Sequence, residues 1–322
     1  DSGLASFRAH LLARPDVLTR LRDGLLRLIE RERNGEQVER PLLTTLLRML
    51  HDLALYDSHF GDAFLEATSA FYLAEGEAHL ATHDVPAYLA HVDQRLAQEE
   101  ARVDHYLHSS SRKPLLSAVR LALLSSHIDI LLGQGFDALI TQMRIDELRL
   151  LYSLLSQVSA LAEVRAAFGG YIKRVGTAMM NDVEREKQLV AELLAFKDKL
   201  DLVLSGAFAS NETFGHALKE AFEHFVNVRQ NRPAELIARY LDAQLRTSNK
   251  GTSEEELEEV LDKTMTLFRY IDGKDMFEAF YKKDLSRRLL LDKSASTDAE
   301  KWIISKLRTE CGSTFTSKLE GM

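Results

Sequence analysis

The chain has 322 residues, of which 45% are hydrophobic, and its formal net charge at pH 7 is −8. This length is enough for two or three domains with substantial cores, and the acidic balance argues against direct nucleic-acid binding, which requires a concentrated basic face. A single cysteine excludes an internal disulfide framework, no signal peptide is visible, and no uninterrupted apolar run approaches the roughly 18 to 20 residues of a bilayer span. We therefore expect a protein of a reducing compartment without a membrane segment.

Segments with the apolar period of an α-helix follow one another along the chain, and no convincing alternating strand pattern interrupts them. With only 16 Gly and 5 Pro there is little long loop. The predicted helices span residues 5–32, 41–55, 60–81, 86–108, 114–132, 144–157, 160–176, 183–207, 211–228, 233–247, 254–271, 274–291 and 297–311. The pattern predicts an all-α fold.

Several of the predicted helices begin with a capping residue. Asp84 can cap the helix that starts beside Pro86, and Asn211 can cap the next strongly apolar segment. Ser253 and Glu256, three residues apart, form the pattern of a capping box. The segment from residue 211 to 213 also matches a glycosylation acceptor, but in a cytosolic or nuclear protein a helix cap explains it better.

Two pairs of histidines raise the question of a metal site. His79 and His83 lie at i and i+4 on a predicted helix, a spacing that can place two imidazoles on one metal ion, but no HExxH pattern accompanies them. His105 and His108 raise the same idea, and a solvated helix end explains them better. We assign no metal ligand.

Patterns that would indicate an enzyme are absent or incomplete. Gly133 and Gly135 follow a predicted helix rather than a strand, so they give no dinucleotide fingerprint. Gly273-Lys274 lacks the remaining residues of a phosphate loop, and no serine stands in a nucleophile-elbow context. Cys311 ends an apolar helix, which indicates a buried structural thiol rather than a nucleophile. We assign no catalytic residue and no cofactor.

The last 50 residues carry the most information about function. Phe277, Phe280, Tyr281, Leu285 and Leu289 recur at spacings of three and four, and they form one apolar stripe of a core-facing helix. The same helix carries a small cluster of cations, which we interpret as a solvated or subunit-facing surface rather than a phosphate site. These cations are Lys282, Lys283, Arg287 and Arg288.

A second helix follows the loop from Asp292 to Ser296. Thr297 is followed three residues later by Glu300, which is the pattern of another capping box, and Cys311 with Gly312 ends the helix. Its apolar positions are Ile303, Ile304 and Leu307. The start of a third helix comes after it.

This C-terminal block resembles the cullin homology region of cullins, the scaffold subunits of multisubunit RING ubiquitin ligases. The segments 28–36, 233–238 and 277–285 look most like the fourth cullin branch. We take as family-signature structural positions Lys274, Asp275, Phe277, Phe280, Tyr281, Leu285, Arg288, Leu289, Ser296, Asp298, Glu300, Ser305, Lys306, Leu307, Cys311, Gly312, Thr316, Ser317, Lys318 and Leu319.

The resemblance implies an elongated all-α solenoid of five-helix cullin repeats, followed by the beginning of a helical bundle. By this likeness residues 1–112 are the second cullin repeat, residues 113–231 the third, and residues 232–322 part of the four-helix bundle that opens the cullin homology domain. We expect a radius of gyration well above the roughly 20 Å of a compact globule of this length.

The resemblance also implies a noncatalytic function. The segment would be a rigid spacer that holds the substrate adaptor and the RING-bound ubiquitin-conjugating enzyme apart, in ubiquitin-dependent protein degradation. In the full-length protein the implied partners are a RING-box protein, a three-propeller DNA-damage-binding adaptor with its substrate receptors, the ubiquitin-like modifier Nedd8 and cullin regulators.

The main RING and adaptor sites are expected outside this segment, so we expect the segment alone neither to recruit the RING-box protein nor to have ligase activity. No direct nucleic-acid, membrane or cofactor binding is implied, and the expected location is the nucleus and cytoplasm. The alternative is a helical-repeat protein-interaction platform without a ubiquitin-ligase role.

Overall fold

The computed structural model describes residues 2–246 and 253–322, and these fold into seventeen α-helices. The described residues contain no β-strand, only an isolated antiparallel bridge between Arg246 and Ser294. The predicted all-α fold is confirmed. The chain forms two compact units, unit 1 (Asp1–Val164) and unit 2 (Arg165–Met322), each with its own core.

Unit 1 contains nine of these helices. They are α1 (Ser2–Leu12), α2 (Pro15–Arg33), α3 (Arg40–Asp52), α4 (Asp62–Thr82), α5 (Val85–His105), α6 (Arg112–Leu123), α7 (Ile128–Gln134), α8 (Phe136–Thr141) and α9 (Ile145–Ser156). The helices α2, α4 and α5 carry the buried Arg33, Tyr72 and Glu99 of an ionic cluster described below.

The remaining helices belong to unit 2, apart from the first four residues of α10, which precede Arg165. They are α10 (Leu161–Asn181), α11 (Leu189–Gly206), α12 (Glu212–Val226), α13 (Arg232–Leu245), α14 (Glu254–Tyr270), α15 (Lys274–Leu290), α16 (Thr297–Cys311) and α17 (Ser313–Glu320). Leu189, Leu193, Leu200 and Val203 are buried on α11, where α12, α13 and α14 pack against it. A Cβ atom at Gly176 would lie 2.3 Å from the Phe225 ring, so glycine permits the close approach of α10 and α12.

Two predicted helices are each broken in the structure. The prediction of one helix over residues 5–32 is wrong because Pro15 lacks an N–H and restricts the residue before it, so α1 and α2 are separate. The predicted helix 114–132 is wrong as well, because a short turn at residues 125–127 separates α6 from α7. The six-residue α8 was not predicted, and the predicted helix 183–207 begins only at Leu189.

The later helix boundaries agree with the sequence prediction to within two residues. The predicted end of one helix at residue 247 lies outside the described residues. Asp84 accepts a hydrogen bond from the Ala87 amide at 3.0 Å, and Asn211 accepts one from the Thr213 amide at 2.9 Å. Ser253 and Glu256 form the predicted capping box. The three predicted caps of these helices are confirmed.

The segment Ser109–Gln134 is apolar and long enough, by composition, to cross a membrane. It passes this test although it contains no uninterrupted apolar run of that length. In the structure it comprises α6, a turn and α7, and its Leu115, Val119 and Leu123 side chains are fully buried in the protein. Packing in the core of unit 1 uses part of its apolar surface, while Leu121 is 61% exposed.

The repeat boundaries near residues 112 and 231 stay a prediction. The boundary between the two compact units after Val164 does not test them.

Candidate functional site

The most informative side chain of the C-terminal block is Arg288, which is only 1% exposed. It lies on the buried face of α15 together with Phe277, Tyr281 and Leu285, at spacings of four, four and three residues, and this face packs against α13. The prediction that Arg288 belongs to a surface patch is therefore wrong. Leu289, the expected last member of the stripe, is 41% exposed. It follows Arg288 by one residue, so its side chain points away from α13.

Arg288 joins α13, α15 and α16 through two carboxylates. Its Nε donates to Glu300 Oε1 at 2.8 Å and its Nη2 to Glu300 Oε2 at 2.9 Å, while Nη1 donates to Asp242 Oδ1 at 2.7 Å. Ser294 and the Tyr281 hydroxyl donate to Glu300 at 3.0 and 3.3 Å. We call these five residues the Arg288 cluster.

The surroundings of the Arg288 cluster keep its basic and phenolic groups protonated. Burial would lower the pKa of Arg288, but its hydrogen bonds to Glu300 and Asp242 raise it above the ordinary value. Burial and the Glu300 charge raise the pKa of Tyr281 far above its usual range. The cluster therefore holds three helices of unit 2 together through buried charged hydrogen bonds.

Glu300 reaches Arg288 because α16 begins one residue earlier than a Thr297 cap would require. Ser296 has extended backbone and caps the helix by accepting from the Ala299 amide at 3.3 Å. The Thr297–Glu300 capping box is therefore wrong, since the Glu300 side chain turns inward to the guanidinium. Gly312 ends α16 with a φ of +88°, a conformation that favours glycine.

The structure distributes the family-signature residues over the core and the surface of the C-terminal helices. The buried ones are Phe277, Tyr281, Leu285, Arg288, Glu300, Leu307, Thr316 and Leu319. The half-buried ones are Lys274, Phe280, Ser296, Lys306 and Cys311. The exposed ones are Asp275, Leu289, Asp298, Ser305, Gly312, Ser317 and Lys318.

An apolar groove lies between α15, α16 and α17. It has a volume of about 450 Å³ and is lined by Leu285, Leu289, Ile304, Leu319 and Met322 together with polar residues at its rim. Beside it the chain exposes consecutive leucines, because Leu290 is 85% and Leu291 55% exposed. These side chains leave an apolar surface at the end of α15.

Cys311 does not have the environment of a reactive thiol. It is half-buried, and burial raises its pKa, with the Glu310 charge acting in the same direction and Lys274 opposing them. A raised pKa leaves little thiolate at neutral pH. This agrees with a structural role.

The histidines considered as metal ligands do not converge. His79 stacks face to face on His83 with ring centroids 3.9 Å apart, which turns the ring edges away from a common centre. His108 stacks on His51 instead of approaching His105. Within residues 2–246 and 253–322, no group of three or more His, Cys, Asp and Glu side chains has the geometry to hold a metal ion.

Sequence reasoning missed a second buried ionic group, in unit 1. Arg33 donates to both oxygens of Glu99, at 2.8 and 3.1 Å, and Arg102 bridges Glu99 and Glu32 at 3.0 and 3.1 Å. We call these four residues, with Tyr72 on Glu99 and Tyr106 on Glu32, the Glu99 cluster. It joins α2, α4 and α5 and was predictable only in part, since Glu99 and Arg102 are spaced to share the core face of α5.

Electrostatics in the Glu99 cluster favour the charged form of the Glu32 carboxylate. Burial raises the pKa of Glu32, but hydrogen bonds from Tyr106 and Arg40 and the charge of Arg102 together bring it below the usual value. Burial and the Glu99 charge raise the pKa of Tyr72. As in unit 2, the arrangement holds helices together.

The comparison with known families decides the class of protein. The family model for the cullin alpha solenoid domain matches residues 1–322, the whole chain. The chain belongs to the cullin family. The family-signature residues lie in the C-terminal helices, where Arg288 and the buried apolar side chains hold the helices of unit 2 together.

Individual cullins show the same likeness. Human Cullin-4A is 49% identical and Dictyostelium discoideum Cullin-4 is 46% identical, each over all of this chain. Cullin-3 of Dictyostelium discoideum is 37% identical, so this cullin is most like the fourth branch. The chain spans 43% of human Cullin-4A and 40% of the Dictyostelium Cullin-4, less than half of either relative.

Proposed function

We propose that this chain is a noncatalytic segment of the scaffold subunit of a cullin-RING ubiquitin ligase, acting in ubiquitin-dependent protein degradation. The observation that carries the proposal is the cullin match over residues 1–322, together with 49% identity to human Cullin-4A. Within such a ligase the segment acts as a rigid spacer that holds the substrate adaptor and the RING-bound ubiquitin-conjugating enzyme apart. Fixed separation sets the effective concentration at which ubiquitin meets its substrate.

The two ionic clusters support the spacer role through their geometry. Each cluster joins three helices of its own unit by short charged hydrogen bonds in a buried setting. Displacing one helix would leave a buried charge without its partner, which costs about 3–5 kcal/mol. Such clusters oppose internal rearrangement within each unit, which is the property that a spacer requires.

The partners and location follow from the same likeness. We propose that the full-length protein binds a RING-box protein, a three-propeller DNA-damage-binding adaptor with its substrate receptors, Nedd8 and cullin regulators, in the nucleus and cytoplasm. We also propose that residues 1–112, 113–231 and 232–322 correspond to two cullin repeats and part of the following helical bundle.

The test is a chimera in which this chain replaces the matching segment of human Cullin-4A. Two reactions are compared: ubiquitination of a substrate held by the adaptor, and discharge of ubiquitin from the conjugating enzyme to free lysine. The chimera should support both. Arg33→Met, which weakens the helix arrangement of unit 1, should slow substrate ubiquitination while leaving discharge to free lysine unchanged, because only the first reaction depends on spacing.

The matched control is Arg48→Met, an exposed arginine of α3. It should leave both rates unchanged. A chimera that folds and discharges ubiquitin to free lysine but does not ubiquitinate the adaptor-held substrate would contradict the scaffold role and favour a helical-repeat interaction platform. Equal slowing of both reactions by Arg33→Met would contradict the spacer mechanism.

A further inference from the structure

Two buried side-chain nitrogens lack a hydrogen-bond partner among the described residues, and both belong to histidines of unit 1. They are Nδ1 of His79 and Nε2 of His127. The centroids of the two rings lie 5.7 and 6.1 Å from the centroid of the Tyr88 ring. Because buried polar groups are normally paired, two such nitrogens around one tyrosine require an explanation.

His79 lies in the middle of three parallel imidazole rings. Its ring centroid is 3.9 Å from that of His83 and 4.3 Å from that of His91, and the planes are inclined by 19° and 18°. His79 is on α4 and His91 on α5, so the stack crosses between the two helices. Neutral rings stack without cost, whereas two protonated rings at this distance repel each other.

His127 lies in the turn before α7 and is 6% exposed. Its Nε2 is 3.0 Å from the place where a Cβ atom at Gly76 would be, so glycine at this position of α4 admits the ring. The nearby Tyr88 hydroxyl donates to the Leu123 carbonyl at 2.6 Å. No described group accepts from His127 Nε2, so a proton added there would be buried close to α4 without a hydrogen bond in this arrangement.

Glu75 near His79 and Glu77 near His127 favour protonation of these rings, but burial opposes it more strongly. On α4 and α5, Glu75 already accepts from His91 at 2.7 Å and from Arg95 at 2.5 Å. Burial raises the pKa of Glu75, but Arg95 and His91 together lower it. Both oxygens of the Glu75 carboxylate are thus already hydrogen-bonded to His91 or Arg95.

Several charged side chains around the histidines already have partners. Asp84 caps α5, Arg120 of α6 donates to Gln157, and Arg33 of α2 binds Glu99. Arg144 and Glu147 pair with each other at the start of α9. Asp57 and His59 lie before α4, at the end opposite His79. Glu77 is the remaining acidic residue near His127.

We propose that His79, His83, His91 and His127 form an acid-sensitive element that loosens the packing of α4 on α5 and α6 as the pH falls from neutral into the mildly acidic range. The geometry provides two sites for this effect. One is the stack of His83, His79 and His91 across α4 and α5, and the other is the buried His127 ring beside Gly76, whose Nε2 has no hydrogen-bond partner. Protonation puts charge into both places at once.

The direction of the effect follows from proton linkage. Burial, then the charges of His91 and His83, lower the pKa of His79, and burial lowers the pKa of His127. In the unfolded chain both histidines titrate near about 6.5, so there the unfolded state binds more protons. The stability is fully present above that pH and is lost as the pH falls toward the lower folded values.

The experiment is hydrogen exchange of the whole chain at pH 7.5 and 5.5, corrected for the intrinsic pH dependence of exchange, with peptides from α4, α5 and α12 compared. Protection of α4 and α5 should fall by a factor of the order of ten for each unit of pKa difference. Protection of α12 in unit 2 should change much less. The single tryptophan, Trp302, reports whether unit 2 stays folded at both values.

The variants distinguish the histidines from a general effect of acid. His79→Gln with His127→Gln should remove most of the loss in α4 and α5, whereas His216→Gln, an exposed histidine of α12, should remove none. Should the double variant not fold, the exposed His83→Gln removes one ring of the stack and should reduce the loss in part. Equal loss in wild type, His83→Gln and any folded double variant, or an equal loss in α12, would overturn the proposal.

Discussion

The two buried ionic clusters hold helices together with different numbers of charges. In unit 1, Glu99 accepts from Arg33, Arg102 and Tyr72. Glu32 accepts from Arg102, Tyr106 and the more exposed Arg40. In unit 2, Arg288 alone bridges two carboxylates, although the half-exposed Arg246 also reaches Asp242 at 2.5 Å. The Glu99 cluster therefore has alternative contacts when one cation is removed, whereas the Arg288 cluster depends on a single side chain.

The strongest test of this difference is Arg288→Met. We expect a loss of about 3–5 kcal/mol in the free energy of unfolding of unit 2, because two buried carboxylates lose the cation they share. Urea unfolding followed by Trp302 fluorescence measures it. Arg287→Met is the matched control, since Arg287 is 51% exposed and lies 3.7 Å from Asp284, and it should change stability by at most about 1 kcal/mol. Similar losses for both arginines would contradict the buried role of Arg288.

The apolar neighbours of Arg288 give the next largest effect. Phe277→Ala and Leu285→Ala should each cost about 2–5 kcal/mol, because both side chains are at most 1% exposed. Lys282→Ala, on the half-buried side of the same helix, should cost little. The same urea transition measures all three. Small and equal losses would show that the packing around Arg288 does not stabilise unit 2.

How far the sequence predicts this region depends on whether a contact is local. The stripe of α15 was predictable because Phe277, Tyr281 and Leu285 repeat at the helical period within one segment. Arg288 lies three residues after Leu285 and so falls on the same helix face. The sequence prediction nevertheless placed it on the surface, because it is a cation next to Arg287. Its partners Asp242 and Glu300 lie 46 and 12 residues away, and helix periodicity carries no information about such pairs.

Arg102→Met tests the alternative contacts of unit 1. We expect a loss of about 1–3 kcal/mol, smaller than that of Arg288→Met, because Glu99 keeps Arg33 and Tyr72 while Glu32 keeps Arg40 and Tyr106. Hydrogen exchange of peptides from α2 and α5 reports it, since the only tryptophan is in unit 2. Arg48→Met is the exposed control. A loss equal to that of Arg288→Met would show that charge redundancy does not protect the cluster.

The Glu99 cluster also shows what the sequence alone leaves open. Arg33 ends α2 and Glu99 lies on α5, so 66 residues separate the two partners. Glu99 and Arg102 follow Leu96 on the buried face of α5, and charged residues at core positions were the available signal. That signal indicates a buried pair but does not identify its partner on another helix.

The smallest expected effect concerns the cap that places Glu300 in the Arg288 cluster. Ser296→Ala should cost about 1 kcal/mol, because it removes the acceptor for the Ala299 amide at the start of α16. Thr297→Ala should cost less, since Thr297 is already inside the helix and exposed. No equivalent sensitivity is expected in unit 1, where Glu99 lies well inside α5 and needs no cap to position it. Trp302 fluorescence in urea measures the stability of both variants. A larger loss for Thr297→Ala than for Ser296→Ala would indicate that Thr297 and Glu300 form the capping box after all. It would then contradict the position of Glu300 beside Arg288.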